Sequence, residues 1–285
     1  MNQAGLPELQ EPLIRREEVL VIPDPYFQAR NVAIVTGAAS GVGRATAIAL
    51  AVNGLTVVGL DLDENRGRET EEMAKAVGGR VIFVKADLIQ DGDIRSSVLQ
   101  AQKYGAIKFL ANIAGIQHIN SIEDFPMEKY DLMQRIMLRA PFYLSKLCIP
   151  QMKASENGIG AIGNMSSVHG HMVTKNKPAY NITKFGLRGL TQSIAAEGEG
   201  KIRSFSVSTG FVKTSLALKQ IPDQARQRGI SPEEVVQNVM MGRSQVKEMM
   251  IPIEVGNLFV LGFSHVGKYL IGGDLLFDGG MVKTY

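Results

Sequence analysis

The chain has 285 residues, 45% of them hydrophobic and 21% charged, the balance of a globular protein that can bury a large core without covalent staples. Disorder, collagen and coiled coil are excluded as descriptions of the whole chain, and a net charge of +3 with both signs interspersed is too weak to argue for nucleic acid or a membrane as partner. Cys148 is the only cysteine, which leaves no intrachain disulfide and no Cys-rich metal site.

No window reaches about 18 consecutive apolar residues, so no transmembrane helix is expected. Residues 1–30 mix Glu8, Glu11, Glu17 and Glu18 with Arg15 and Arg16, which fits neither a secretory signal nor a transit peptide. They read as a cytoplasmic N-terminal extension that packs on the body or on a neighbouring subunit, with Val19-Leu-Val-Ile22 as a short docking strand. Residues 31–285 then alternate strand and helix. Asn31–Thr36 is a β-branched apolar run, followed by a Gly-rich turn and the helix former Arg44–Ala51. Leu55–Leu60 is the next strand, Glu64–Val77 a polar helix and Arg80–Lys85 a third strand. Strand patterns recur at Ile107–Ala111, Ile159–Gly163 and Ile202–Val207, then near Tyr269–Ile271 with Leu275–Phe277. Apolar strands separated by helices imply βαβ crossovers and a doubly wound parallel sheet covered on both faces, an α/β fold. The single domain carries a helical insertion near 215–250. Its Met240, Met241, Met249 and Met250 suit either an adaptable cover over substrate or simple core packing.

The turn after the first strand is Thr36-Gly-Ala-Ala-Ser-Gly-Val-Gly43. Gly37, Gly41 and Gly43, with Ser40 and Val42 between them, sit where a strand turns sharply into a helix. Glycines there let backbone N–H groups approach a pyrophosphate, and the helix N-terminus adds partial positive charge. Asp61 ends the next strand, 24 residues after Gly37. A carboxylate there accepts hydrogen bonds from ribose hydroxyls and repels a 2′-phosphate, which favours NAD over NADP. Arg44 and Arg66 read as surface residues rather than phosphate ligands.

Tyr180-Asn-Ile-Thr-Lys184 has i, i+4 spacing, which places both side chains on one helical face. An ammonium beside a phenol stabilises the phenolate, making Tyr180 a usable acid and base for an alcohol–ketone pair. Ser167 lies 13 residues before Tyr180, at the end of a predicted strand, where parallel sheets bind ligands. Its hydroxyl can hold the same substrate oxygen, and Ser166 is the competing choice.

Taken together, Thr36-Gly-xxx-Gly-x-Gly43, Asp61, Asn112-Ile-Ala-Gly115, Ser167 and Tyr180-xxx-Lys184 resemble the short-chain dehydrogenase/reductase family over about residues 31–285. The resemblance implies the strand order 3-2-1-4-5-6-7 and a homo-oligomer, with a tetramer favoured. It also implies that Asp87 and Leu88 contact the adenine and Asn112 its ribose. Phe211, Val212 and Thr214 would flank the nicotinamide, and Lys184 would also bind the nicotinamide ribose. Within the family, the stretch Ala114–Lys129, Ser167-Val-His-Gly170, Asn176–Tyr180 and Leu218–Ile221 resemble bacterial D-3-hydroxybutyrate dehydrogenases. That likeness implies a substrate carboxylate held by Gln117, His169, Lys177 and Gln220. Each of those residues also has a plain reading as a cap, a core histidine or a surface side chain.

The chain departs from the family pattern at Met137, where an Asn that holds a relay water behind the lysine is usual. It departs again at Ile113, Thr209-Gly210 and Phe211. The expectation is an NAD-dependent oxidoreductase of a small 3-hydroxy acid. Its rivals are a dehydrogenase of another alcohol or hydroxy acid, and a catalytically weak NAD-binding protein.

Overall fold

The structure is a computed structural model and describes residues 12–283. Its strands are β1 (Asn31–Thr36), β2 (Thr56–Asp61), β3 (Arg80–Lys85), β4 (Ala106–Asn112), β5 (Gly160–Met165), β6 (Ile202–Thr209) and β7 (Asp274–Phe277). They form one sheet in the order β3-β2-β1-β4-β5-β6-β7, and every pairing is parallel. The expected order is therefore present. Tyr269–Ile271 is a correction: it lies in a turn before β7, where Gly272 at φ +72° and Gly273 turn the chain into the strand.

The helices are α1 (Gly41–Val52), α2 (Glu64–Ala76), α3 (Asp91–Gln102), α4 (Met127–Gln134), α5 (Ala140–Ala154), α6 (Pro178–Glu197), α7 (Ser215–Leu218), α8 (Ile221–Arg228), α9 (Pro232–Glu234) and α10 (Pro252–Phe263). Two apolar layers clamp the sheet. On one face α1 and α10 pack with Phe109, Phe205, Phe259 and Phe263. A Cβ at Gly256 would lie 3.0 Å from the Ala45 carbonyl carbon, so these two helices meet backbone to backbone. On the other face Ile94, Val98, Leu144, Cys148 and Ile194 cover Ile34, Leu110 and Ile162. All six residues of β1 are buried, as a central parallel strand covered on both faces requires.

Residues 1–11 of the extension lie outside the described residues. Its Val19–Ile22 run adds no strand to the sheet. It docks against the C-terminal end of α1 and the middle of α10 instead, where side-chain amides replace a strand partner. Leu20 N–H donates to Asn257 Oδ1 at 2.8 Å and Ile22 N–H to Asn53 Oδ1 at 2.9 Å. Asn53 Nδ2 returns a bond to Leu20 O at 2.8 Å, and Asn257 Nδ2 one to Glu18 O at 2.9 Å. Phe27 then stacks edge-on against Phe109 with ring centres 5.7 Å apart.

The insertion contains α7, α8, α9 and a π-helical turn at Val235–Met240, with its own small core of Leu218, Ile221, Ala225, Val235, Met240 and Met241. The methionines serve packing: Met240 and Met241 are buried there, Met249 lies against them, and Met250 packs on the main core. Among the described residues, no helix is long and apolar enough to cross a membrane.

Candidate active site

In this strand order β1 has β2 on one side and β4 on the other. Their crossovers leave in opposite directions, which opens a crevice at the carboxyl ends of the strands. Thr36, the last residue of β1, fixes the crevice. Its Oγ1 accepts from Ile113 N–H at 2.8 Å and Ala114 N–H at 3.0 Å, tying the two strand ends together. A cavity of about 420 Å³ opens there.

The glycine turn forms one wall. Gly37 has φ +72° and Gly41 φ +53°, a region costly for residues with a Cβ. A Cβ at Gly43 would sit 2.0 Å from Gly37 O, and one at Gly37 3.0 Å from Ala114 Cα. The loop is therefore pressed against the chain that leaves β4 at Ala114, and α1 starts beyond the end of β1. Ser40 is the N-cap, yet its side chain makes no cap bond, and the first turn carries no acidic side chain. That arrangement suits an external anion at a helix N-terminus, so the turn fits a dinucleotide pyrophosphate.

Asp61 lines the same cavity. Its Oδ2 accepts from Ala39 N–H at 3.0 Å, and its Oδ1 from Leu62 N–H at 2.7 Å and Asp63 N–H at 3.1 Å. The carboxylate is thus held in place by backbone donors at the rim. Arg44 corrects its expected surface position. It is buried, donating to Ala39 O at 2.6 Å, Thr70 Oγ1 at 3.0 Å and Glu69 Oε2 at 3.1 Å, and it braces the loop from below.

Ser40, Gly41, Val42, Gly43, Asp87, Leu88, Val212 and Thr214 also line the cavity, and Asn112 alone of the expected cofactor residues does not. Asn112 and Asn164 are in-register neighbours on β4 and β5, so their side chains face one another. Asn112 Nδ2 donates to Asn164 Oδ1 at 2.8 Å, and Asn164 Nδ2 to Thr191 Oγ1 at 2.9 Å. This Nδ2 bond joins two strands to α6, while Asn112 Oδ1 is buried without a hydrogen-bond partner.

Ser167, Tyr180 and Lys184 converge at the far end of the cavity. Tyr180 sits in the first turn of α6 and Lys184 one turn on. Lys184 Nζ lies 5.2 Å from the Tyr180 ring centre and donates to Met165 O at 2.7 Å. Burial pulls the Lys184 ammonium down to about 7. Burial likewise pushes the Tyr180 phenol up to about 12, with a hydrogen bond to Ser167 acting the other way. Each charged form alone is disfavoured in this dry site, but phenolate and ammonium together offset one another. The choice between the serines follows from geometry: Ser166 Oγ donates to Lys184 O at 3.2 Å, whereas Ser167 faces Tyr180 and His169.

Gln117, Lys177, His169 and Gln220 reach the same cavity from the β4 loop, the N-cap of α6, the turn after β5 and the start of α8. Lys177 is 8% exposed and faces the Phe211 ring at 5.7 Å. Burial first, and Arg228 second, lower its ammonium to about 8. The Oε1 atoms of Gln117 and Gln220 are buried without a hydrogen-bond partner. His169 differs, because both ring nitrogens are engaged: Nδ1 with Ser167 Oγ at 3.3 Å and Nε2 with Thr174 Oγ1 at 2.9 Å. Burial, followed by Lys177 and Lys184, lowers its imidazole to about 3.

Met137 is fully buried in a π-helical turn and packs with Met133, Ala179 and the Tyr180 ring. Met137 thus presents an apolar side chain to the tyrosine, where the family pattern has an amide. Sequence reasoning missed Thr36 and Thr174. Thr36 stood in view as the residue opening the glycine motif, whereas Thr174 gives no signal before the chain is folded.

A family profile described as enoyl-(acyl carrier protein) reductase matches residues 37–282. A D-beta-hydroxybutyrate dehydrogenase of Rhizobium meliloti is 34% identical over 252 residues, covering 87% of this chain and 97% of that protein. The chain belongs to the short-chain dehydrogenase/reductase family. Another family member, a D-beta-hydroxybutyrate dehydrogenase of Cupriavidus necator, is 31% identical over 88% of this chain and 97% of its own length. Among solved structures, a short-chain type dehydrogenase/reductase from Mycobacterium marinum superposes with TM-score 0.81 at 23% identity, covering 91% of this chain and 98% of that one. A second, described as an NAD(P)-dependent gluconate 5-dehydrogenase from Beutenbergia cavernae with bound NADP, has TM-score 0.80 at 24% identity, covering 91% of this chain and 100% of that one. These two show the fold that short-chain dehydrogenases share.

Proposed function

We propose that this short-chain dehydrogenase/reductase uses NAD to interconvert a small 3-hydroxy acid, of the 3-hydroxybutyrate kind, with its 3-oxo acid. The observation that carries this reading is Lys177. Its ammonium is buried beside the Tyr180–Ser167 pair, and among the described residues it has no carboxylate partner. An unpaired buried cation is costly and calls for an anion. A carboxylate on the substrate meets that need and sets the hydroxyl-bearing carbon at the reacting end of the cavity. Gln117 and Gln220 line the same cavity and bring amide N–H donors to the same carboxylate, Gln220 Nε2 keeping one of its two for Leu216 O at 2.9 Å.

The glycine turn would hold the pyrophosphate of a dinucleotide and Asp61 its adenosine ribose, and the dinucleotide would supply the hydride acceptor. In oxidation Tyr180, as phenolate, takes the hydroxyl proton at its phenol oxygen. Ser167 donates to the substrate oxygen, and Lys184 stabilises the phenolate. The likeness to the hydroxybutyrate dehydrogenases supports the substrate class, and the fixed Asp61 carboxylate supports NAD over NADP. We also take the protein to be a cytoplasmic homo-oligomer, with a tetramer favoured by the family resemblance, which light scattering after size exclusion measures.

The test is steady-state turnover of 3-hydroxybutyrate and of its methyl ester with NAD, in wild type and in Lys177→Ala. The expected result is loss on the acid and little change on the ester. Equal losses on both, or no turnover of the acid by wild type, overturn the substrate assignment.

A further inference from the structure

The cavity that holds Lys177 and Tyr180 is bounded in part by Gly210 and Phe211, and these two residues also line a second cavity of about 260 Å³. Lys177 Nζ faces the Phe211 ring at 5.7 Å, so the shared wall stands beside the cation assigned to the substrate carboxylate. The wall is thin. Gly210 adds no side chain to it, and its N–H donates to Phe277 O at 3.2 Å. Phe211 O accepts from Met250 N–H at 3.1 Å, and Lys213 N–H donates to Met250 O at 2.7 Å. The backbone is thus pinned to β7 and to Met250, and the Phe211 side chain is the movable part of the partition.

The second cavity suits an apolar occupant. Its walls include Met241, Val246, Met250, Phe277 and Met281, and methionines reshape readily around an alkyl chain. Two of its polar residues are already satisfied. Ser244 Oγ donates to Val246 O at 2.7 Å, and the Asp278 carboxylate accepts from Gly280 N–H at 2.9 Å and Val282 N–H at 2.7 Å. Gln245 N–H donates to Gly279 O at 2.7 Å, which stitches the loop over the cavity to the turn after β7. The acidic side chain of exposed Glu248 also borders the cavity and disfavours an anion there.

We propose that this second cavity receives the alkyl tail of the substrate, so that the enzyme prefers medium-chain 3-hydroxy acids such as 3-hydroxyhexanoate, with Phe211 the residue that sets chain length. This rests on the 3-hydroxy acid reading above and extends it. The substituents of C3 have separate uses. The hydroxyl meets Tyr180 and Ser167, the hydrogen faces the dinucleotide site, and C2 leads to the carboxylate at Lys177. The tail takes the remaining direction, and Phe211 gives it an apolar wall with space behind. Rotation about the Phe211 side-chain bonds, with the backbone still pinned, joins the two cavities. A methyl tail leaves the ring in place, whereas a longer tail turns it aside and buries its methylenes among the methionines. The ring then loses its contact with the Lys177 ammonium, which the substrate carboxylate offsets.

The experiment compares kcat/KM with NAD on 3-hydroxybutyrate, 3-hydroxyhexanoate and 3-hydroxyadipate, in wild type, Val246→Trp, Met281→Phe and Phe211→Ala. In wild type the hexanoate exceeds the butyrate by about tenfold, from two further buried methylenes. The adipate, of the same length but with a second carboxylate, falls below the hexanoate by about tenfold or more. Val246→Trp fills the second cavity from its exposed rim and Met281→Phe from within. Each brings the hexanoate-to-butyrate ratio to about one or less, with the butyrate itself within about twofold of wild type. Phe211→Ala removes the partition and raises the ratio of 3-hydroxyoctanoate to 3-hydroxybutyrate. A wild type that prefers the butyrate overturns the proposal, as does a ratio that Val246→Trp and Met281→Phe both leave unchanged. If wild type oxidises methyl 3-hydroxy esters but not the acids, the hydroxy-acid reading fails, and the chain-length ratio is judged on the esters. A readout that needs no turnover is the ¹³C spectrum of the methionine methyls. With NAD present, octanoate or methyl octanoate shifts Met250 and Met281, and acetate or methyl acetate does not. Signals unmoved by both octanoate ligands overturn the proposal. So do signals that move with protein concentration alone, which would mean that a second copy of the chain covers the cavity.

Discussion

Lys184 Nζ lies 5.2 Å from the centre of the Tyr180 ring, and its bond to Met165 O at 2.7 Å ties it to the end of β5. Lys184 is 3% exposed, so its ammonium interacts with the phenol largely through protein rather than through water. In such a medium the attraction between phenolate and ammonium is strong, and so is the cost of either alone.

Tyr180→Phe deletes the proton carrier and almost no volume. Turnover is expected to fall by about a thousandfold or more. NADH binding, followed by fluorescence, is expected to stay within about twofold, because the pyrophosphate site lies at the other end of the cavity. Substantial turnover by this variant would remove the phenol from the mechanism.

Asp61 is held by backbone donors at the rim of the cavity, so it cannot swing away from an incoming 2′-phosphate. Wild type is expected to prefer NAD, and Asp61→Ala to narrow that preference, chiefly through the KM for NADP. A wild type that uses both cofactors equally would show that Asp61 does not discriminate.

Lys177 contributes a charge-assisted hydrogen bond, typically worth about 1.5–3 kcal/mol. Lys177→Ala is therefore expected to lower kcat/KM on 3-hydroxybutyrate roughly ten- to a hundredfold, with little effect on the methyl ester. A pH series gives a second measure. Burial holds the Lys177 ammonium at about 8, so the charge is present below that pH and lost above it. The KM for the acid is expected to climb above about pH 8 while that for the ester stays flat.

Met137 is wholly buried among apolar neighbours. Met137→Asn places an amide where it finds no partner, an expected cost of about 1–3 kcal/mol read as a lower urea midpoint. The kcat of this variant measures whether a relay water behind the lysine is missing: if none limits the wild type, kcat is expected to stay within about twofold. A clear rise in kcat would show that a relay water behind the lysine limits the wild type.

His169 is held neutral, at about 3, by burial and by the two lysines. Between that value and its ordinary value near 6.5, the unfolded chain binds a proton that the folded ring does not. The stability gained from keeping the ring neutral is thus present above about pH 6.5 and is lost as pH falls toward 3. The urea midpoint of wild type is expected to drop between about pH 7.5 and 5.5 by more than that of His169→Gln, which does not titrate. Parallel profiles for the two proteins would mean that the ring protonates freely when folded.

The sequence by itself determined what is local or periodic. The apolar run Asn31–Thr36 fixes a buried strand, and Gly37, Gly41 and Gly43 fix a sharp turn because a Cβ has no room there. The i, i+4 spacing of Tyr180 and Lys184 places both on one helical face before any tertiary contact forms. Tertiary structure decided whatever depends on which distant segments meet. The Val19–Ile22 run has the pattern of a strand, but it lies against α1 and α10, so Asn53 and Asn257 take up its backbone groups. Asn112 matches a family motif, yet strand register turns it toward Asn164 rather than into the cavity. Thr174 looks like any loop threonine until the chain between β5 and α6 folds back and sets its hydroxyl 2.9 Å from His169 Nε2. Periodicity and steric limits on φ act along a few residues of chain, whereas hydrogen-bond partners are assigned only once the packed layers bring those residues together.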